Sequence, residues 1–463
     1  MKNYLIIGGG IAGVTTAHQL LNLNLSFDLV DNKPQYNSSK VAAGFWNPIV
    51  FKRLTMSYKA DILMPHLKEF YPKVEQKLDC QFVHYVSQLK IFSTKEERHR
   101  FIDKAIVSEV SQFLDEEVID EINGIEAPIG MGKVVGTGYI ETEKFVDESI
   151  NYFESCSSFI ESKVDYSDII FKENHIEYNG KKYKKVIFCE GYHAVNNPLF
   201  PDLRLKPTKG ELLIIEVPEL TQDYAYAKSA GLIPIGNKQF IVGSTYDWED
   251  MSKSATESAK KKLLYNLADF LKANFKVIDQ QAGIRPSSYD RRPIIGKSNV
   301  QENAYIINGF GTKRVMYAPY YSAMLINNIV YSSDMYNLEK EIELVVPFAK
   351  IMDSWIQILH IDKDNERFEG DLQQKEERLR RDFSYQKINL REQKSDSVIQ
   401  GINKFVADVD ADMVIMFTHH TNFLEKVFQK SVAQNTAFQT RIPLFTFQKD
   451  TIFIFIISSI WVF

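Results

Sequence analysis

The chain opens on an apolar run of strand length, Tyr4 to Ile7, which breaks into glycines and gives way to apolar positions at helical spacing from Ile11 to Leu21. A second apolar run, Phe27 to Val30, ends on Asp31. Strand, tight turn, helix, strand and acid, in that order, predict the opening of a doubly wound α/β unit. From Asn47 to Glu126 the pattern is mainly helical, with a strand-like stretch at Phe82 to Phe92. Strand signals return at Lys185 to Cys189, Leu212 to Val217 and Phe240 to Gly243, each beside turn residues. The mixed middle predicts a substrate-side sheet interleaved with a nucleotide-binding core. The core takes segments of about 1–46, 130–200 and 284–327, and the substrate side takes about 47–129 and 201–283.

A second alternation begins near Asn328. Ile329 to Tyr331 reads as a strand, Leu338 to Met352 as an amphipathic helix, Ile356 to Ile361 as a strand and Arg367 to Phe383 as a charged helix. Lys387 to Leu390, Asp412 to Phe417 and Pro443 to Phe447 read as strands, with helices over Ser397 to Ala407 and Asn422 to Ala433. Residues 328–448 are therefore expected to form a small α/β domain in their own right. In the charged helix, Phe368, Leu372, Leu379 and Phe383 make one stripe, and Glu376 with Arg380 and Glu377 with Arg381 are i,i+4 pairs, the marks of a solvated face. An apolar tail, 449–463, is too short to span a bilayer. It either pairs as a strand, buries in an interface or reflects a reading-frame or fusion artefact.

At 463 residues the chain is long enough for two or three cores. Its 44% hydrophobic and 25% charged residues are those of a soluble globular protein, and no run reaches membrane-spanning length. A net charge of −5 with interspersed signs offers no broad cationic face and argues against nucleic acid as partner. Cys80, Cys156 and Cys189 are widely spaced, which supports neither a disulfide framework nor a zinc site and fits a reducing cytoplasm. The apolar start reads as a buried strand rather than a signal peptide. Adjacent His419 and His420 point apart and lack a third ligand, so no metal is expected.

Gly8, Gly10 and Gly13 satisfy G-x-G-x-x-G. Gly8 makes the turn, Gly10 admits a pyrophosphate close to the backbone, and Gly13 lets helix pack on strand. Ile11 and Ala12 complete the first helical turn, whose unpaired N–H groups face the phosphates. Asp31 stands where a carboxylate accepts hydrogen bonds from ribose hydroxyls. NAD and FAD share this phosphate fold.

Residues 1 to about 327 resemble the D-amino-acid oxidase and glycine oxidase superfamily. The resemblance rests on IIGGGIAGVTTAHQL, SSKVAAGFWNP, KVIFCEG, LKPTKGELLII, FIVGSTYDW, AGIRPSSYDRRPIIG and NGFGTKRVMYAP, which occur in the family's order. It implies non-covalent FAD lined by Ser38, Ser39, Ala42, Ala43 and Gly44, with Val164 at the adenine and Gly191 close by. No cysteine lies in NGFGTKR and no histidine in SSKVAAG, the places where some sarcosine oxidases attach flavin. Gly309, Gly311, Thr312 and Lys313 would turn a helix N-terminus toward the flavin. It also implies hydride transfer to flavin N5 from the carbon beside an amine nitrogen. Arg285 would hold the substrate carboxylate, its alternative being an ion pair with an acid such as Asp290, and Tyr246 either offers a hydroxyl to substrate or packs in the core. Arg314 departs from the family, which has glycine there. It stabilises anionic reduced flavin, narrows the substrate pocket or blocks the cofactor.

Residues 328 to about 448 resemble the universal stress protein family through NIVYSSD, IQILHID, ADMVIMFTHHTNFLEKVFQKSVAQNTAF and IPLFTF, which implies an α/β fold with five parallel strands. Asp334 and Ser431 fit its ATP-binding members, but the loop Thr418 to Phe423 has no glycine, which argues against ATP. The resemblance then implies a dimerisation or interaction module. Two functions follow: an FAD enzyme oxidising a small amine or amino acid, or a stress-related binding scaffold whose flavin site Arg314 has silenced.

Overall fold

A computed structural model describes residues 1–33, 38–331, 342, 345–347, 349–350, 355–362, 372–394, 413–417, 444–447 and 453–458. Strand β1 (Lys2–Ile7), helix α1 (Ile11–Asn22) and strand β2 (Phe27–Asp31) form the expected opening crossover, with β1 and β2 parallel. Leu5 and Ile6 are fully buried, each contributing on the order of 1.5–3 kcal/mol through removal from water. Helix α1 buries Ile11, Val14, Ala17 and Leu20, at steps of three, with His18 four on from Val14.

The chain divides into two compact units, residues 1–326 and 327–463. In the first, one sheet runs in the order Phe159–Glu161, β2, β1, Lys181–Phe188, Ile176–Tyr178, Ile170–Phe171. Ala304–Asn308 also joins Lys181–Phe188, in parallel, and carries Ile294–Lys297 on its other side. A second eight-stranded sheet runs Lys276–Arg285, Thr208–Glu216, Gln239–Gly243, Gly231–Pro234, Tyr224–Ala227, Ser87–Ile91, Met131–Val134, Leu114–Ile119. It packs its own apolar core, with Leu213, Ile215, Phe240 and Leu263 at the centre. Met131–Val134, expected in the nucleotide-binding segment 130–200, pairs in this second sheet instead.

The second unit departs from the expectation in two ways. Ile329 to Tyr331, expected as a strand, belongs to the helix Arg314–Tyr331, because the helical run continues through a short apolar segment that periodicity cannot distinguish from a strand. The sheet has five strands, ordered Ile388–Lys394, Trp355–Asp362, Phe453–Ser458, Met413–Phe417, Leu444–Phe447, but it is mixed rather than parallel. Phe453–Ser458, from the apolar tail, is its middle strand and runs antiparallel to both neighbours. Of the alternatives for the tail, these residues pair as a strand. In the charged helix Leu372–Asp382, Glu376 pairs with Arg380 at 2.7 Å, while Arg378 rather than Arg381 makes the second i,i+4 pair, with Asp382 at 3.3 Å. Asp334, His419, His420, Ser431 and the helices over Ser397 to Ala407 and Asn422 to Ala433 lie outside the described residues.

Candidate functional site

The turn after β1 is built around glycine. Gly8 has φ +106°, and a Cβ on Gly13 would stand 1.8 Å from the Gly8 carbonyl oxygen, so helix and strand meet backbone to backbone. Gly9 N–H donates to Asp31 Oδ2 at 2.6 Å and Lys33 N–H to Oδ1 at 2.8 Å. Burial pushes the Asp31 carboxyl up, and those two N–H groups pull it back. The α1 N-cap, Gly10, brings no capping side chain, and the Ser39 hydroxyl accepts from Ile11 N–H at 3.1 Å.

These groups line a cleft of about 560 Å³. Gly8, Gly10, Ile11, Ala12, Asp31, Ser38, Ser39, Val164, Gly191 and Arg314 all border it. Gly13 shapes the turn from behind. Gly309 and Gly311 do not border it; both have positive φ and bend the chain into the helix Arg314–Tyr331. Lys313 Nζ instead donates to the Ser57 hydroxyl, and burial pulls Lys313 down to about 8. The cleft also holds groups the sequence reading missed: Glu190, His193, Lys163 and Lys253. Glu190 accepts from Tyr166 Oη at 2.8 Å and Asn197 Nδ2 at 2.7 Å, and burial raises its carboxyl. Burial lowers His193, which favours its neutral form. Cys189 also borders the cleft, but burial pushes its thiol up, keeping it protonated.

A smaller cavity of about 160 Å³ shares Ser38 and Arg314 with the cleft and adds Ala42, Ala43, Gly44, Gly210, Arg285 and Thr312. Arg285 ends the strand Lys276–Arg285, paired with Thr208–Glu216. Its guanidinium is clamped: a Cβ on Gly210 would stand 1.8 Å from Nη2, and the Tyr246 ring centroid lies 4.7 Å from Cζ. Nη1 donates to the Thr245 carbonyl at 3.0 Å. The expected alternative, an ion pair with Asp290, is not formed; Asp290 accepts from Arg292 N–H and stays at the surface. Tyr246 is half exposed, so core packing does not describe it either. Gly210 was missed, although a glycine inside a strand signals a close approach.

Arg314 is buried. Nη1 donates to the Ser38 carbonyl and Nε to the Gly311 carbonyl at 3.2 Å. Burial, and then the nearby Arg285 charge, pull it down to about 9, which leaves it cationic at neutral pH.

A glycine-built cleft of this kind can hold a dinucleotide, and the smaller cavity that shares Ser38 and Arg314 with it is lined by two cationic side chains. The chain belongs to the FAD-dependent oxidoreductase family, whose model matches residues 3–327, and its cofactor is FAD. Its fold is that of glycine oxidase from Bacillus cereus, at 15% identity and a TM-score of 0.61 over 72% of this chain and 96% of that one. It is also that of iminodiacetate oxidase from Chelativorans sp. BNC1, at 16% identity and 0.57 over 73% and 98%. Among curated proteins it is similar to the tRNA 5-methylaminomethyl-2-thiouridine biosynthesis bifunctional proteins. The Campylobacter jejuni protein is 21% identical over 308 residues, covering 64% of this chain and 46% of that one. That of Legionella pneumophila is 22% identical over 316 residues, covering 64% and 45%. The chain thus spans about half the length of these relatives. Among the described residues no helix is long and apolar enough to cross a membrane, and no group of acids, histidines and cysteines could hold a metal ion.

The residues fit the cofactor. The bare glycine turn admits a pyrophosphate, the α1 N-terminus offers it N–H groups, and Asp31 has lone pairs left for ribose hydroxyls.

Proposed function

We propose that the chain oxidises a small amine that carries a carboxylate. The observation that carries this reading is Arg285: a buried guanidinium, clamped between Gly210 and Tyr246 at a pocket contiguous with the cofactor cleft, with no carboxylate of its own among the described residues. Such a fork binds a carboxylate through two parallel hydrogen bonds, and so places the carbon beside the nitrogen next to the cleft. Bound FAD supplies a two-electron acceptor, at N5, for the hydride from that carbon, and the substrate is left as an imine. Tyr246 covers the guanidinium and keeps bulk water from its upper face. In the test, purified holoprotein is mixed anaerobically with a panel of amines and amino acids. Loss of the oxidised flavin band with some carboxylate-bearing amine is expected, and no change with any of them sinks the reading.

The curated relatives favour a second reading, in which the amine belongs to a modified uridine of tRNA, since methylaminomethyl is itself a secondary amine. Bleaching by tRNA and not by free amino acids would select it. For residues 327–463, the reading as a module similar to universal stress proteins, joining two copies of the chain, rests on sequence pieces alone. The mass of the full chain in solution tests it.

A further inference from the structure

Lys209 is a buried lysine whose donors all go to one segment of chain. Its Nζ donates to Asp250 Oδ2 at 2.5 Å, to Ser252 Oγ at 3.1 Å and to the Ser254 carbonyl at 2.7 Å. An ammonium has three hydrogens to give, so the segment takes them all. Glu211 lies two residues on, on the same face of the strand Thr208–Glu216. It fixes the end of the segment by accepting from Thr256 N–H at 2.7 Å and Thr256 Oγ1 at 2.8 Å. Asp247 pairs with the Lys209 backbone in both directions, at 2.8 and 3.0 Å. A buried charge is costly unless it is paired and hydrogen-bonded. The segment between the strand Gln239–Gly243 and the helix Glu257–Ala268 is therefore strapped down at Lys209 and Glu211.

Between Ser252 and Ser254 the strap carries Lys253, whose side chain borders the cofactor cleft, with Nζ 5.8 Å from the centroid of the Tyr192 ring. Among the described residues no carboxylate pairs with it. Its charge is felt inside the cleft: burial, and then Lys253, disfavour protonation of His193, which Asp31 favours. The carboxylates that border the cleft are engaged, Asp31 by the N–H groups of Gly9 and Lys33, and Glu190 by Tyr166 and Asn197. A dinucleotide brings a doubly negative pyrophosphate. The glycine turn answers it with N–H groups and a helix pole of roughly half a charge, and Ile11, Ala12 and Gly13 add no cation.

We infer that Lys253 is a ligand of the cofactor's phosphates, supplied across the cleft by the substrate-side half of the chain, and that Lys209 is the positioning residue that holds it there. The inference concerns the cofactor and stands whichever amine is oxidised. It also ties the two pockets together, because the same strap carries Tyr246 against Arg285.

The test uses the holoprotein. Stepwise dilution, read as the return of free-flavin fluorescence, gives the Kd for FAD. Lys253→Gln is expected to raise it about tenfold or more, the scale of one charged hydrogen bond, and raised salt is expected to shrink the difference. With ADP and adenosine as displacers of FAD, the variant is expected to weaken ADP and leave adenosine, which has no phosphate, at its native value. Lys209→Met is expected to weaken FAD by a similar factor, and the double variant to be no weaker than Lys253→Gln alone, since both changes remove one contact. Native FAD affinity in Lys253→Gln, or an equal loss for adenosine, overturns the phosphate contact. Losses that multiply in the double variant overturn the positioning role, because that is the result of a Lys209 that serves only the fold. Should Lys209→Met fail to fold, Asp250→Ala, which removes the partner on the strap and leaves the strand intact, takes its place in the same comparison.

Discussion

The guanidinium of Arg285 lies against the ring of Tyr246, 4.7 Å from its centroid, and close upon the backbone of Gly210. Tyr246 acts here through its ring rather than its hydroxyl. Tyr246→Phe is therefore expected to keep KM near the native value, and Tyr246→Ala to raise it about 2- to 10-fold, the range of a partly exposed cation–π contact. Steady-state kinetics with the best reductant of the panel check this. A Phe variant as impaired as Ala would instead assign the work to the hydroxyl.

Gly210→Ala drives a methyl into the space of Arg285 Nη2. The obstacle is the far end of a flexible side chain, so the fold is expected to survive with a melting temperature within a few degrees of native. The fork, however, is displaced by an ångström or more, which is expected to cost on the order of 100-fold in kcat/KM. Native turnover in Gly210→Ala would show that the clamp does not position the substrate.

His18 sits in an aromatic cage with Phe145 and Phe153, and its Nε2 lies 2.9 Å from Ser149 Oγ. Burial, and next the Lys77 charge, lower it to about 3, against 6.5 in the unfolded chain. Below 6.5 only the unfolded chain takes up this proton, so stability is lost as pH falls from 6.5 toward 3. The loss is about 2 kcal/mol at pH 5. His18→Gln cannot titrate and is expected to flatten this part of the profile in denaturant titrations at pH 7 and pH 5. An unchanged acid sensitivity would acquit His18.

Removing the residues after 448 takes away Phe453–Ser458, the middle strand of the second unit's sheet. Trp355–Asp362 and Met413–Phe417 are then left with open edges, which template association between chains. The truncated chain is expected to aggregate on warming, while its flavin spectrum stays that of the full chain. A truncated protein that stays monomeric with native far-ultraviolet circular dichroism would show that the strand is dispensable.

The dinucleotide crossover was legible because strand, glycines, helix and acid are contiguous, so one window of sequence holds the whole device. Arg285 was legible only through its surrounding motif. Its clamp was not, because Gly210 reaches it through pairing with a distant strand, with Thr208 opposite Arg285, and Tyr246 from the loop after the strand Gln239–Gly243. Arg314 was visible as a departure, but beside its local partner Gly311 the distant one, Ser38, emerges only when the helix start meets the turn after β2. One segment misread as a strand and one left open share a cause. Ile329 to Tyr331 and Phe453 to Ser458 are apolar without a period, and such runs take their structure from whichever neighbours accept them.

A flat fork with Gly210 pressed against it and the Tyr246 ring beside it has mainly its rim to offer, so a carboxylate that meets it lies in the plane of that rim.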